Sequence, residues 1–147
     1  MTFPYNFAKD VLTERSESVV GTEMNEKRIF IIDDNRFFLE SLIFILNRQN
    51  DMKVVGAHHC AQGALQLIDT AKPDVIILDM RLPDSDGITL LQGIKSHFEI
   101  PVIMLTMYEE HKDRAIKNGA YAYLVKGGGL DLLYQTIRKA TVVVVNS

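Results

Sequence analysis

The chain has 147 residues, 47% hydrophobic and 24% charged, with one cysteine and a formal net charge of −3. That is too apolar and too mixed in charge for a disordered chain, and it suits a single core that buries roughly 68–70% of the unfolded surface. Apolar runs such as Leu42 to Leu46 and Ile100 to Leu105 are far short of the about twenty residues a membrane span needs. No secretory leader is visible, one cysteine forms no intramolecular disulfide, and no long basic run suggests nucleic acid. The expectation is a soluble cytoplasmic domain without membrane partners.

Residues 1–26 mix charges with Ser and Thr without a sustained period. They are expected to form a flexible arm, with Phe7, Val11 and Leu12 able to make one amphipathic turn. From Lys27 the pattern changes. Arg28 to Ile32 reads as a strand, and Asn35 to Arg48 as a helix with Phe38, Leu42, Ile45 and Leu46 on one face. Val54 to Ala57 is a second strand. The helix after it carries Ala61, Ala64, Leu65 and Ile68 at the spacing of a buried stripe. Val75 to Leu78 is a continuous apolar run, as in a parallel strand covered on both faces.

Gly87 to Phe98 is helical, with Leu91, Ile94 and Phe98 in register, and Val102 to Leu105 is the fourth strand. Glu109 to Lys117 is the weakest helix. Only Ala115 and Ile116 are apolar, so it is either a solvated face or a mobile element with a low opening energy. Tyr121 to Val125 is the fifth strand. Leu130 to about Val142 is the last helix, with Leu130, Leu133, Ile137 and Ala140 aligned. Val142 to Val145 is either the last turn of that helix or an edge able to pair with another chain. Five β-α units in strict alternation give a parallel sheet with helices on both faces. The fold class is α/β, one doubly wound (βα)5 domain around a central five-stranded parallel sheet.

Ligand sites in such sheets lie beyond the carboxyl ends of the strands. The first strand ends in Asp33-Asp34, the third in Asp79, the fourth in Thr106 and the fifth in Lys126. A single Asp in such a place is ordinarily a helix cap. Together, three carboxylates, a hydroxyl and an ammonium converge on one rim. Two carboxylates about 4 Å apart repel by about 4 kcal/mol at an effective dielectric of 20, so three need a counter-ion. Mg2+ suits an open, all-oxygen site. Beside it, Asp79 is a candidate nucleophile that would form an aspartyl phosphate.

Residues 27–141 resemble the receiver domain of two-component response regulators. The motifs are Asp33-Asp34, then Asp79 followed by Met80-Arg81-Leu82-Pro83-Asp84-Ser85-Asp86-Gly87, then Thr106, then Tyr123-Leu124-Val125-Lys126. The resemblance implies a flavodoxin-like, CheY-like fold and a non-enzymatic switch, phosphorylated on Asp79 by a sensor histidine kinase or a histidine phosphotransfer protein. It implies Mg2+ held by Asp33, Asp34, Asp79 and the backbone carbonyl of Arg81, with Asp33 acting partly through water. Thr106 would hydrogen-bond the phosphoryl oxygens and Lys126 would pair with them. Tyr123 would be the aromatic switch residue; the alternative is an ordinary strand aromatic.

Many receivers carry Pro after the strand-five Lys, whereas Lys126 precedes Gly127-Gly128-Gly129. With Gly119-Ala120 and Ile137-Arg138, this resembles receivers that precede LuxR/NarL-type DNA-binding domains. No DNA-binding domain is expected within this chain, so it reads as the receiver part of a transcriptional regulator or as a stand-alone receiver, with 142–147 as its tail. Homodimerisation is a further expectation. Arg81 and Tyr108, two residues after Asp79 and Thr106, are expected to shield the phosphoryl group from water. A phosphorylation-independent interaction module on the same fold is the competing reading. A dehalogenase-type phosphatase would need a second Asp at position 81, which is Arg. His58-His59-Cys60 is taken as a β-α junction, since three adjacent residues rarely converge on one ion.

Overall fold

The computed structural model describes residues 26–142. The arm expected over 1–26, apart from its last residue, and the tail beyond Val142 lie outside the described residues. The elements in chain order are β1 (Lys27–Ile32), α1 (Arg36–Asn47), β2 (Met52–His58), α2 (Ala64–Ala71), β3 (Val75–Leu78), α3 (Gly87–His97), β4 (Val102–Thr106), α4 (Lys112–Lys117), β5 (Ala122–Val125) and α5 (Leu130–Ala140). The strands form one parallel sheet in the order β2-β1-β3-β4-β5. This is the flavodoxin-like order, whose switch point lies between β1 and β3.

The period of two along each strand divides the core. Phe30, Ile32, Ile76, Leu78, Val102 and Met104 face one layer, with Ala64 and Ile68 of α2 and Leu91 and Ile94 of α3. Ile29, Ile31, Val75, Ile77, Ile103 and Leu105 face the other, with α1 and α5. Both faces of β3 are therefore covered, and all four of its residues are buried. Fully burying each such side chain contributes about 1.5–3 kcal/mol. The register of β1 on β2 slips between Ile29 and Phe30. Opposite stands Gly56, where a Cβ would lie 2.5 Å from the Phe30 ring. Glycine makes room for that ring.

Three expectations need correction. The buried face of α1 is Leu39, Leu42, Ile43 and Leu46, while Phe38 and Ile45 are half-buried. Phe38 still packs against this core, at the edge nearest the rim, where its ring also meets Lys126. Leu130 and the neighbouring Leu132 are 43% and 48% exposed, so α5 packs through Leu133, Thr136 and Ile137. The polar segment 109–117 is helical only over Lys112–Lys117, with Ala115 alone buried. One apolar anchor is too little to carry a longer helix. Caps fix the entries of the two helices beside the rim. The Asn35 side chain accepts the Phe38 N–H at 3.0 Å, and Asp86 accepts that of Thr89 at 2.7 Å. Such caps contribute about 0.5–2 kcal/mol each.

Candidate functional site

The rim is assembled by backbone bonds between strand ends. The Asp33 N–H donates to the His58 carbonyl at 3.0 Å, the Asp79 N–H to Ile32 at 3.0 Å, and the Lys126 N–H to Thr106 at 2.7 Å. These bonds join the ends of β2, β1 and β3 and those of β4 and β5, and the β3–β4 ladder, with Leu78 beside Met104, sets the two groups side by side. Carboxylate oxygens of Asp33, Asp34 and Asp79 lie within 4.8 Å of one another. Asp33 and Asp79 are buried, whereas Asp34 is exposed at the mouth.

Lys126 bridges the buried pair. Its Nζ is 2.7 Å from Asp33 Oδ2 and 3.3 Å from Asp79 Oδ2, and 4.1 Å from the centre of the Phe38 ring. The second oxygens are also engaged. Asp33 Oδ1 accepts the Asn35 N–H and Asp79 Oδ1 the Met80 N–H, each at 2.8 Å. Burial pushes the Asp33 carboxyl above its ordinary range, and the Asp79 charge adds to this. The hydrogen bonds from Lys126 and Asn35 oppose it without cancelling it. One ammonium against three carboxylates leaves a site that favours a further cation.

The donor set fits Mg2+: clustered carboxylates with no nitrogen or sulfur ligand, one side open to solvent. Asp33, Asp34, Arg36, Leu39 and His59 line a cleft of about 280 Å³ at this mouth. Arg81 forms an antiparallel bridge with Asp86, and its guanidinium carbon lies 3.9 Å from the centre of the Tyr108 ring. Thr106 is fully buried, with its hydroxyl 3.4 Å from the Tyr108 N–H. Tyr123 is buried and donates its hydroxyl to the Tyr108 carbonyl. Burial raises the pKa of that phenol, which keeps it a donor.

Asp33, Asp34, Asp79, Thr106 and Lys126 thus share one rim, as the strand-end argument requires. Tyr108 links the Arg81 side to Tyr123. Two participants escaped the sequence reading. Phe38 reads as a core-facing residue, and it does pack against the core, but the sequence gives no sign of its contact with the Lys126 ammonium. His59 lines the acidic cleft, and the run His58-His59-Cys60 lies at the β2–α2 junction as expected. One ligand atom from each of His58, His59 and Cys60 lies within 4.8 Å of the others.

Among the described residues no helix is long and apolar enough to cross a membrane. Residues 29–138 match the family model described as the response regulator receiver domain. An uncharacterized transcriptional regulatory protein, YvfU of Bacillus subtilis, is 36% identical over 115 residues, covering 76% of this chain and 58% of that protein. The response regulator domain of Thermotoga maritima CheB superposes with a TM-score of 0.73 at 31% identity, covering 81% of this chain and 98% of that one. A LuxR-family DNA-binding response regulator of Staphylococcus aureus gives 0.73 at 25% identity, with 79% and 99% covered. The chain spans about half the length of the curated relatives it matches. A family match over most of the chain, on the sheet whose strand ends carry the acidic rim, places this chain among the receiver domains of two-component response regulators.

Proposed function

We propose that Asp79 accepts a phosphoryl group from a phosphohistidine of a sensor kinase or phosphotransfer protein, and that the domain passes this state to an output unit. The observation that carries the proposal is the Lys126 ammonium poised between Asp33 and Asp79 at 2.7 and 3.3 Å. A carboxylate oxygen of Asp79 attacks phosphorus, the P–N bond breaks, and the imidazole leaves with the bonding pair. Asp33, Asp34, Asp79 and the Arg81 carbonyl would hold Mg2+. Bound there, the ion supplies positive charge against the phosphoryl oxygens.

Lys126 can turn from Asp79 Oδ2 to a phosphoryl oxygen without leaving Asp33. The Thr106 hydroxyl, buried at the adjoining strand end, donates to a second one. A phosphoryl group adds about −1.5 to −2 charges, and hydrogen bonds to charged groups contribute about 1.5–3 kcal/mol each. Inverting a 1:99 equilibrium takes about 5.5 kcal/mol. Two such bonds reach that only near their upper range, so binding of an output partner or a second copy completes the switch. Tyr108 is the element through which the change passes to Tyr123. The output is a DNA-binding unit of the LuxR/NarL type in a cytoplasmic regulator, or a separate partner.

Incubation with Mg2+ and acetyl phosphate, read by intact mass, tests the reading. One phosphoryl mass is expected, lost in Asp79→Asn. A gain that persists in the variant removes Asp79 from the role. No gain from acetyl phosphate or a panel of sensor kinases supports a phosphorylation-independent interaction module.

A further inference from the structure

We propose that His58, His59 and Cys60 form a second metal site, for a soft transition-metal ion of the zinc(II) class, at the end of β2. In a regular strand, neighbouring side chains point to opposite faces. Here β2 ends at His58 and the chain bends at His59 and Cys60. All three side chains therefore turn to one place, with a ligand atom from each within 4.8 Å of the others.

The spacing suits a metal. Cys60 Sγ lies 3.4 Å from His58 Nε2. Bond lengths of about 2.0–2.1 Å to nitrogen and about 2.3 Å to sulfur set two ligands of a tetrahedral zinc roughly 3.5 Å apart. The Gln62 carbonyl oxygen is 2.7 Å from the same Nε2 and 3.6 Å from Sγ; the shorter spacing is a hydrogen bond, too close for two ligands of one tetrahedral ion, so the fourth position falls to water. The loop bearing these groups is anchored. The Asp84 carboxylate accepts the N–H groups of Ala61 and Gln62 at 2.8 Å each, and Gly63 turns the chain at φ +81°.

The setting of the His58 ring decides which of its nitrogens would ligate. His58 is only 7% exposed, and its buried Nδ1 has no hydrogen-bond partner among the described residues. The protein thus engages this imidazole at Nε2 alone, the atom facing the thiol. On binding, Cys60 loses its thiol proton to solvent. The proton that Nε2 donates to the Gln62 carbonyl passes to Nδ1, leaving Nε2 free to ligate. One proton is released per ion. Imidazole and thiolate select zinc or copper(I) over Mg2+, which the oxygen-only rim takes.

Cobalt(II) titrated into the reduced, Mg2+-saturated protein tests the site. Expected are tetrahedral d–d bands and a thiolate-to-cobalt charge-transfer band that saturate at one ion per chain and are displaced by zinc. Cys60→Ser removes the charge-transfer band. His59→Ala, at an exposed position, weakens binding by about tenfold or more, on the scale of known ligand-shell losses. Asp34→Asn leaves both signals intact, which separates this site from the acidic rim. Thermal melts of each metal-free variant check folding. The proposal is overturned by absence of a thiolate band, by a band unchanged in Cys60→Ser, by unchanged affinity in His59→Ala, or by cobalt bound octahedrally and lost in Asp34→Asn. None of these outcomes depends on whether Asp79 is phosphorylated.

Discussion

The Arg81 guanidinium stacks on the Tyr108 ring, its central carbon 3.9 Å from the ring centre. Arg81 follows the proposed acceptor Asp79 by two residues, and Tyr108 follows Thr106 by two. The pair therefore spans the rim between β3 and β4. A cation–π contact at such a place contributes about 0.5–1 kcal/mol toward keeping the two side chains together.

In the proposed phosphorylated state this pair is expected to hinder water that attacks the aspartyl phosphate. Arg81→Ala and Tyr108→Ala are each expected to speed spontaneous dephosphorylation several-fold. Because each removes the same stack, the double variant is expected to exceed either by less than the product. Decay of the phosphorylated mass with time is the measurement. A double variant that loses its phosphoryl group no faster than the wild type refutes the shielding role.

What the sequence made legible divides along local and tertiary lines. The short continuous apolar runs of β1 and β3 placed the strands, because each is buried on both faces of the sheet. The acidic rim followed, since strand ends of a parallel sheet share one edge. Phe38 belongs to the packed face, as its period indicates, but helical period counts apolar residues alike and gives no sign of the Lys126 ammonium over its ring. The Arg81–Tyr108 stack joins two loops, and no local pattern announces it. The proximity of His58, His59 and Cys60 arises where the pleat of β2 ends and the chain bends, which adjacency in sequence does not reveal.

Asp33 is held at a cost to stability. Its carboxyl titrates above the ordinary value, mainly because it is buried. For an acid raised in this way, the folded state loses stability as pH climbs above the unfolded pKa, and the full penalty is present above the folded one. In chelator at neutral pH, Asp33→Asn is therefore expected to melt above the wild type, with Lys126 still paired to Asp79. Mg2+ at a hundred times its Kd stabilises the wild type by about 2.7 kcal/mol, and the variant is expected to lose most of that gain. Melting curves with and without Mg2+ decide. A variant that melts lower in chelator contradicts the account.

Asp51 behaves in the opposite sense. Arg138 of α5 grips it with Nε 2.9 Å from Oδ2 and Nη2 3.0 Å from Oδ1, while Lys27 stands 3.7 Å away. The Arg138 hydrogen bonds are the main cause of a lowered carboxyl pKa. A depressed acid contributes stability that is complete above the unfolded pKa, about 3.9, and lost as pH falls through the folded one. With Arg138 42% exposed, solvent screening reduces the pair to about 1 kcal/mol. Asp51→Asn is expected to cost that much at pH 7 in urea unfolding, and nothing once both states are protonated in strong acid. A difference that persists there assigns the loss to packing instead.

Two glycines of α3 are expected to respond to alanine with opposite signs. Gly87 opens the helix, and its N–H donates to the Met80 carbonyl at 2.5 Å. A Cβ there would lie 2.5 Å from the Asp79 carbonyl oxygen and 2.8 Å from Met80 Cα. Those are backbone atoms beside the acceptor and cannot swing aside, so β3 or the helix has to move. Overpacking of this kind costs about 1–3 kcal/mol, and the displacement carries Asp79 away from Lys126. Gly87→Ala is thus expected to lower both the urea midpoint and the rate of phosphorylation by acetyl phosphate. Gly93 sits mid-helix, where the nearest atom to a new Cβ is Leu65 Cδ1 at 3.8 Å, ordinary contact. Alanine there removes the backbone freedom that glycine loses on folding, so Gly93→Ala is expected to gain about 0.5–1 kcal/mol with phosphorylation unchanged. Equal effects at the two positions would mean that helix propensity governs α3, and that the close approach of Gly87 to Asp79 carries no constraint.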